Sequence, residues 1–121
     1  MEAPIYLFTG PEFGKRNDAV DSVKKSLVKN VGEIDEHLFY LCETPFNEVM
    51  TILQSGTLFS NGVFVVCKNA ELLKKKDDLQ MISDWLASAE QSSVLVLISD
   101  EISVDSKLEK IVPNTKQNRQ K

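Results

Sequence analysis

Basic charge is in short supply in this 121-residue sequence: 14 lysines and arginines face 18 aspartates and glutamates, a net charge of -4 at pH 7. A domain whose main affinity comes from neutralising phosphates needs a basic surface, so nucleic acid is not expected as its principal ligand. Long hydrophobic runs are also missing. Stretches such as Val94–Ile98 are a few residues long, well short of a bilayer span. The opening Met1-Glu2-Ala3-Pro4 lacks the charged region and apolar segment of a secretory signal, so a cytoplasmic location is expected. Histidine is reduced to His37, and cysteine to Cys42 and Cys67. Without a Cys/His cluster a structural zinc site is not expected, and no cofactor is implied. The two thiols sit in or beside apolar runs, which predicts buried, reduced side chains. His37, beside Glu36 and with no evident nucleophile paired to it, reads as a surface or strand-edge histidine.

What the chain does have is alternation. Ile5-Tyr6-Leu7-Phe8-Thr9 is apolar, rich in aromatic and β-branched residues, and stopped by Gly10-Pro11, which predicts a buried strand and a turn. From Asn17 to about Lys29 the apolar positions Ala19, Val20, Val23, Leu27 and Val28 mix spacings of three and four, an amphipathic helix. Asn17 or Asp18 is placed to cap it, with Gly32 just past its end. Leu38–Cys42 reads as a second strand. Pro45 opens a second helical pattern with Phe46, Val49, Met50, Ile52 and Leu53 on one face, ending at Gly56. Val63–Cys67 is a third strand, Asp78 to Ala89 a third helix with Leu79, Ile82, Trp85 and Leu86 on its stripe, and Val94–Ile98 a fourth strand. Strands alternating with helices, the central ones apolar on both faces, predict an α/β fold: a mostly parallel sheet sandwiched between helices. Residues 1–112 form one such domain. Residues 113–121 carry no apolar side chain after Pro113, a polar tail unable to offset its ordering entropy. The chain is accordingly expected to be a fragment of something longer; a short C-terminal helix or a frayed tail would look the same.

The first strand runs into Gly10-Pro11-Glu12-Phe13-Gly14-Lys15-Arg16, the place of a phosphate-binding loop in a nucleotide-binding α/β fold. The working motif is G-x-x-x-x-G-K-[ST]. Here the spacing between Gly10 and Gly14 is one residue short, Arg16 replaces the hydroxyl that would hold magnesium, and Glu12 puts negative charge where phosphates would sit. Lys15 keeps the position of the motif's lysine. The third strand is followed by Lys68-Asn69-Ala70, with Glu71 too late for a Walker B carboxylate. Gly10 and Gly14 read best as turn glycines, and no ATP hydrolysis is expected.

Gln54-Ser55-Gly56-Thr57-Leu58-Phe59-Ser60 is the most informative segment. Leu58 and Phe59 fall on the connection between a helix and the next strand. Two large adjacent apolar side chains there either tuck back onto the body or stand out for a partner.

With these residues in view, the chain resembles the N-terminal domain of the delta subunit of the bacterial DNA polymerase III clamp loader. The resemblance rests on the opening IYLFTGPEF, the central LQSGTLFSNGVFVVCKNAELLKKK and SSVLVLISDE; the central block is the specific part. It implies an AAA+-type domain with a degenerate P-loop, here lacking the last strand of its sheet. It also implies that Leu58 and Phe59 plug the hydrophobic pocket of the ring-shaped sliding clamp (the beta subunit), with Gln54 as the leading glutamine of a Q-x-x-x-L-F pattern. The family's subunit holds the clamp ring open and joins the other loader subunits through C-terminal regions that this chain does not reach. DNA would lie nearby without being a main contact of this domain, and the domain itself would not be an enzyme. The alternative from the residues alone is a degenerate P-loop nucleotide-binding domain or small NTP-dependent enzyme. A weaker one uses Lys74-Lys75-Lys76 and the basic residues Lys116, Arg119 and Lys121 for nucleic acid, against a plain solvated lysine face.

Overall fold

In a computed structural model, which describes residues 5–10, 13–55, 62–88, 93–99 and 108, strands and helices alternate along the chain. They are β1 (Ile5–Phe8), α1 (Phe13–Val31), β2 (Ile34–Tyr40), α2 (Phe46–Ser55), β3 (Gly62–Lys68), α3 (Lys76–Ser88) and β4 (Ser93–Ile98), with a 3-10 turn at Ala70–Leu72. The four strands form one sheet in the order β1-β4-β3-β2, every pair parallel, with Leu7 beside Leu97, Val65 beside Leu95 and His37 beside Val65. The α/β fold with a parallel sheet is therefore the one expected. The segment 113–121, like Gly56 and Asp100, lies outside the described residues.

The strand order dictates the layers. The connection through α1 carries the chain from β1 to the far edge, and the next two bring it back one strand at a time. Right-handed crossovers in opposite directions put their helices on opposite faces. One apolar cluster accordingly joins Leu27 of α1 to Phe8, Phe64, Val94, Val96 and Ile98, with Ala19, Val20 and Val23 packed against it. The other joins Val49 and Leu53 of α2 and Ile82 and Trp85 of α3 to Leu7, Val65, Leu95 and Leu97. All six residues of β4 are buried, as are most of β3, which is why these strands read as near-continuous apolar runs.

Three local expectations are corrected. First, α1 begins at Phe13, so Gly14 is a helical residue rather than a turn glycine. Asn17 and Asp18 are exposed within the helix and cap nothing. Apolar periodicity marks only the part of a helix that lies over the sheet, and it begins at Ala19. The other end is as expected: Gly32 has φ 92, and its N–H donates to the Val28 carbonyl at 2.7 Å, a left-handed helix terminus.

Second, β2 spans Ile34–Tyr40 rather than Leu38–Cys42. The ladder with β3 is made by backbone, so Asp35, Glu36 and His37 can pair in it as well as valines can, and at a sheet edge their side chains still reach water. Third, Cys42 is exposed while Cys67 is buried. After Leu41 donates to the Lys68 carbonyl at 3.1 Å, the Tyr40 carbonyl accepts from the N–H groups of Glu43 and Thr44, both at 2.9 Å. That turn lifts Cys42 out of the sheet. Burial pushes the Cys67 thiol up to about 12, so it stays protonated through neutral and mildly alkaline pH and is a poor nucleophile. Titration of the native protein with dithionitrobenzoate at mildly alkaline pH is expected to modify Cys42 rapidly and Cys67 only after unfolding. Fast reaction of both thiols would contradict this placement.

Candidate functional site

Helix α2 carries the first candidate. The Pro45 carbonyl accepts from Glu48 and Val49 N–H at 3.1 and 3.4 Å, starting the helix where proline's missing donor costs nothing. Phe46, Val49, Met50 and Leu53 are buried, so the three-and-four spacing fixes one face on the sheet and α3. Gln54 follows directly after Leu53 and is exposed in the last turn. It projects from a helix held firmly by four buried side chains. Leu58 and Phe59 lie outside the described residues.

The second candidate sits at the carboxyl ends of the strands. Gly10, after β1, is buried with φ 96, a backbone region open to glycine at little cost. Only Pro11 and Glu12 separate it from the start of α1, and Gly14 and Lys15 belong to that helix. Beside the end of β1, the Ser99 N–H donates to the Phe8 carbonyl at 2.9 Å. The fully buried Ser99 hydroxyl donates to Glu71 Oε1 at 2.7 Å, a charge-assisted bond. Asn69, held at φ 65, turns the chain out of β3 into the 3-10 turn that brings Glu71 back to the sheet. Its Oδ1 is buried with no hydrogen-bond partner among the described residues.

Glu71 therefore reaches the strand ends despite its late position in the sequence, and Ser99 was not singled out at all. The two are 28 positions apart, and no local pattern links them. Replacing Ser99 by alanine leaves the Glu71 carboxylate without this donor in a partly buried place. It is expected to lower stability by about 1–2 kcal/mol in urea unfolding. Glu71→Gln, which keeps an acceptor, should cost less; equal losses would mean that the bond does not carry the effect.

The two candidates are not brought together. In a parallel strand–helix–strand unit the helix runs back against the strands, so the end of α2 with Gln54 lies at the amino ends of the strands. Gly10, Glu71 and Ser99 lie at the opposite end of the sheet. Elsewhere, Lys74, Lys75 and Lys76 are all exposed. Burial pushes the nearby Asp78 carboxyl up, with Lys75 opposing and Asp77 reinforcing the shift. His37 is half-buried on the edge strand, its ring stacked on Phe39 with centroids 6.0 Å apart, as a strand-edge histidine should be. Among the described residues, no group of histidine, cysteine and carboxylate side chains is placed to hold a metal ion, and no helix is long and apolar enough to cross a membrane.

The architecture is a parallel α/β domain. A solved structure with this fold is that of the Bacillus subtilis DNA clamp loader delta protein (YqeN), which superposes with a TM-score of 0.66 over 90% of this chain at 18% sequence identity. The chain spans 36% of the length of that protein. No family model matches the sequence, and no curated relative matches it.

Proposed function

We propose that this domain is the clamp-contacting part of a delta-type clamp-loader subunit and that it binds the ring-shaped sliding clamp through Leu58 and Phe59. The observation that carries the proposal is Gln54, exposed on the last turn of a firmly packed helix and followed at the Q-x-x-x-L-F spacing by Leu58 and Phe59. The fold shared with a clamp loader delta protein supports it. In this reading the helix holds the glutamine still while the two apolar side chains enter a pocket on the clamp, burial of apolar area being the main gain. Helping to open the ring requires tighter binding to the sprung ring than to the closed one. The domain contributes no chemistry of its own. Other loader subunits, and DNA close by, are partners of the larger assembly.

The test is calorimetric titration of the chain against the sliding clamp of the same organism. Saturable binding is expected, and a folded chain that does not bind would overturn the proposal. The competing reading, a nucleotide-binding domain built on Gly10, Gly14 and Lys15, predicts tight magnesium-dependent ATP binding in the same instrument; none is expected.

A further inference from the structure

On the α1 side of the sheet, β2, β3 and β4 present their even-numbered residues in rows. Glu36 stands beside Phe64, Leu38 beside Val66, and Tyr40, Lys68 and Ile98 line up at the carboxyl end. Among the described residues α1 is the one helix packed on this face, and it covers β4 and the near part of β3. Val96 has no exposed surface, and Phe64 and Ile98 are buried. The row of β2 is left uncovered, with Leu38 at 53% and Tyr40 at 41% exposure. Between α1 and β2 runs a groove of about 440 Å³, floored by Phe64, Val66 and Ile98 and walled by Val20 and Leu38.

The two ends of this groove differ in charge. Lys24 of α1 reaches Glu36 of β2 at 3.4 Å and lies 4.0 Å from Asp21, and Asp21 also holds Lys25 at 3.3 Å. These groups neutralise one another and bound the groove toward the amino ends of the strands. Because α1 runs back against the strands, Asn17 near its start and Lys68 at the end of β3 both mark the carboxyl end. There the Lys68 ammonium lies over the Tyr40 ring, 5.7 Å from its centroid, a cation–π contact. Among the described residues no carboxylate pairs with it. The groove therefore combines an apolar floor with one unmatched cation at its open end.

We propose that this groove docks a segment of a partner protein that lays apolar side chains on Phe64, Val66 and Leu38 and sets an aspartate or glutamate carboxylate on Lys68. Charge selects the chemistry of the occupant. A carboxylate at the open end gains a charge-assisted bond from a half-buried lysine, whereas a basic side chain is repelled by it. A phosphodiester chain finds one free lysine and, along the walls, Asp21 and Glu36. It lacks the run of cations that backbone binding uses.

Openness selects the kind of occupant. Small-molecule sites enclose about 70–90% of their ligand, and a groove whose outer wall is an exposed leucine encloses little. A protein segment brings its own surface to cover Leu38 and Tyr40. Burial of those side chains supplies the main gain, and the ion pair fixes orientation. The site is separate from Gln54, since α2 packs on the other face of the sheet, so both can be occupied at once.

The experiment selects a random-peptide library displayed on phage against the full immobilised chain. No sliding clamp is present, so the outcome is independent of clamp binding. Enriched peptides are expected to combine apolar residues with an aspartate or glutamate. Synthesised free, they should bind the chain in calorimetric titration. Leu38→Asp and Lys68→Glu, each checked for folding by circular dichroism, should weaken that binding by at least about tenfold. Selection repeated on Lys68→Glu should return basic residues in place of the acidic ones, a reversal that loss of structure cannot produce. Enrichment of no peptide, of peptides without an acidic residue, or of peptides indifferent to both substitutions would overturn the proposal. Displacement of the peptides by an oligothymidylate would overturn it too, by showing the groove to be a nucleic-acid site.

Discussion

Replacing Leu58 and Phe59 together by alanine is expected to weaken binding to the sliding clamp by at least tenfold, about 1.4 kcal/mol, with the fold unchanged. Burying two such side chains in a partner's pocket contributes on the order of 3–6 kcal/mol at the usual area coefficient, before the entropy of ordering them is subtracted. Even after that cost the loss on truncation should exceed the tenfold threshold. Gln54→Ala should cost less, since an exposed polar side chain exchanges one set of hydrogen bonds for another. Two readouts separate the possible roles of the pair. If Leu58 and Phe59 instead anchor their connection to the core of the domain, the double mutant will unfold at lower urea concentration, each truncation costing about 2–5 kcal/mol. If they serve the clamp, the urea midpoint will hardly move while the titration loses its heat.

The second large effect lies at the centre of the sheet. Leu97→Ala is expected to destabilise the domain by about 3–5 kcal/mol in equilibrium urea unfolding. Leu97 has no exposed surface. In the ladder it stands between Leu7 and Cys67, and it belongs to the cluster beneath α2 and α3. Strands locked on both sides cannot move in to fill the space, so the cavity persists and its cost adds to the lost transfer energy. Against a total stability of about 5–15 kcal/mol, one such change uses up a large share. Leu72→Ala is the control: with 46% of its surface exposed and no place in the core cluster, it should shift stability by about 0.5 kcal/mol or less. Equal losses at the two sites would contradict the assignment of the core.

Both predictions draw on features legible in the sequence, though to different degrees. The apolar runs that became β3 and β4 announced strands covered on both faces, and the stripe Phe46, Val49, Met50 and Leu53 announced how α2 sits and therefore which way Gln54 points. The edge strand was misplaced. Leu38–Cys42 is the most apolar stretch in its neighbourhood, but pairing with β3 selects Ile34–Tyr40, and all of the apolar cluster except Phe39 is left exposed or in the following turn. The dimension that failed was register, which depends on a partner strand and not on the composition of the strand itself.

The sequence by itself determined the elements, their alternation and the parallel α/β class, because each of these is written in local periodicity. Three-and-four spacing buries one stripe of a helix, and an unbroken apolar run suits a strand with helices on both faces. The tertiary structure alone decided what depends on the order of strands. Among the described residues it put β2 at the edge of the sheet with Leu38 and Tyr40 exposed, and turned Cys42 outward while Cys67 went in. It folded Glu71 back to Ser99 across 28 positions and set Gln54 at the opposite end of the sheet from Gly10. Those outcomes arise from contacts between segments distant along the chain, and residue spacing within one segment carries no information about which other segment will lie beside it.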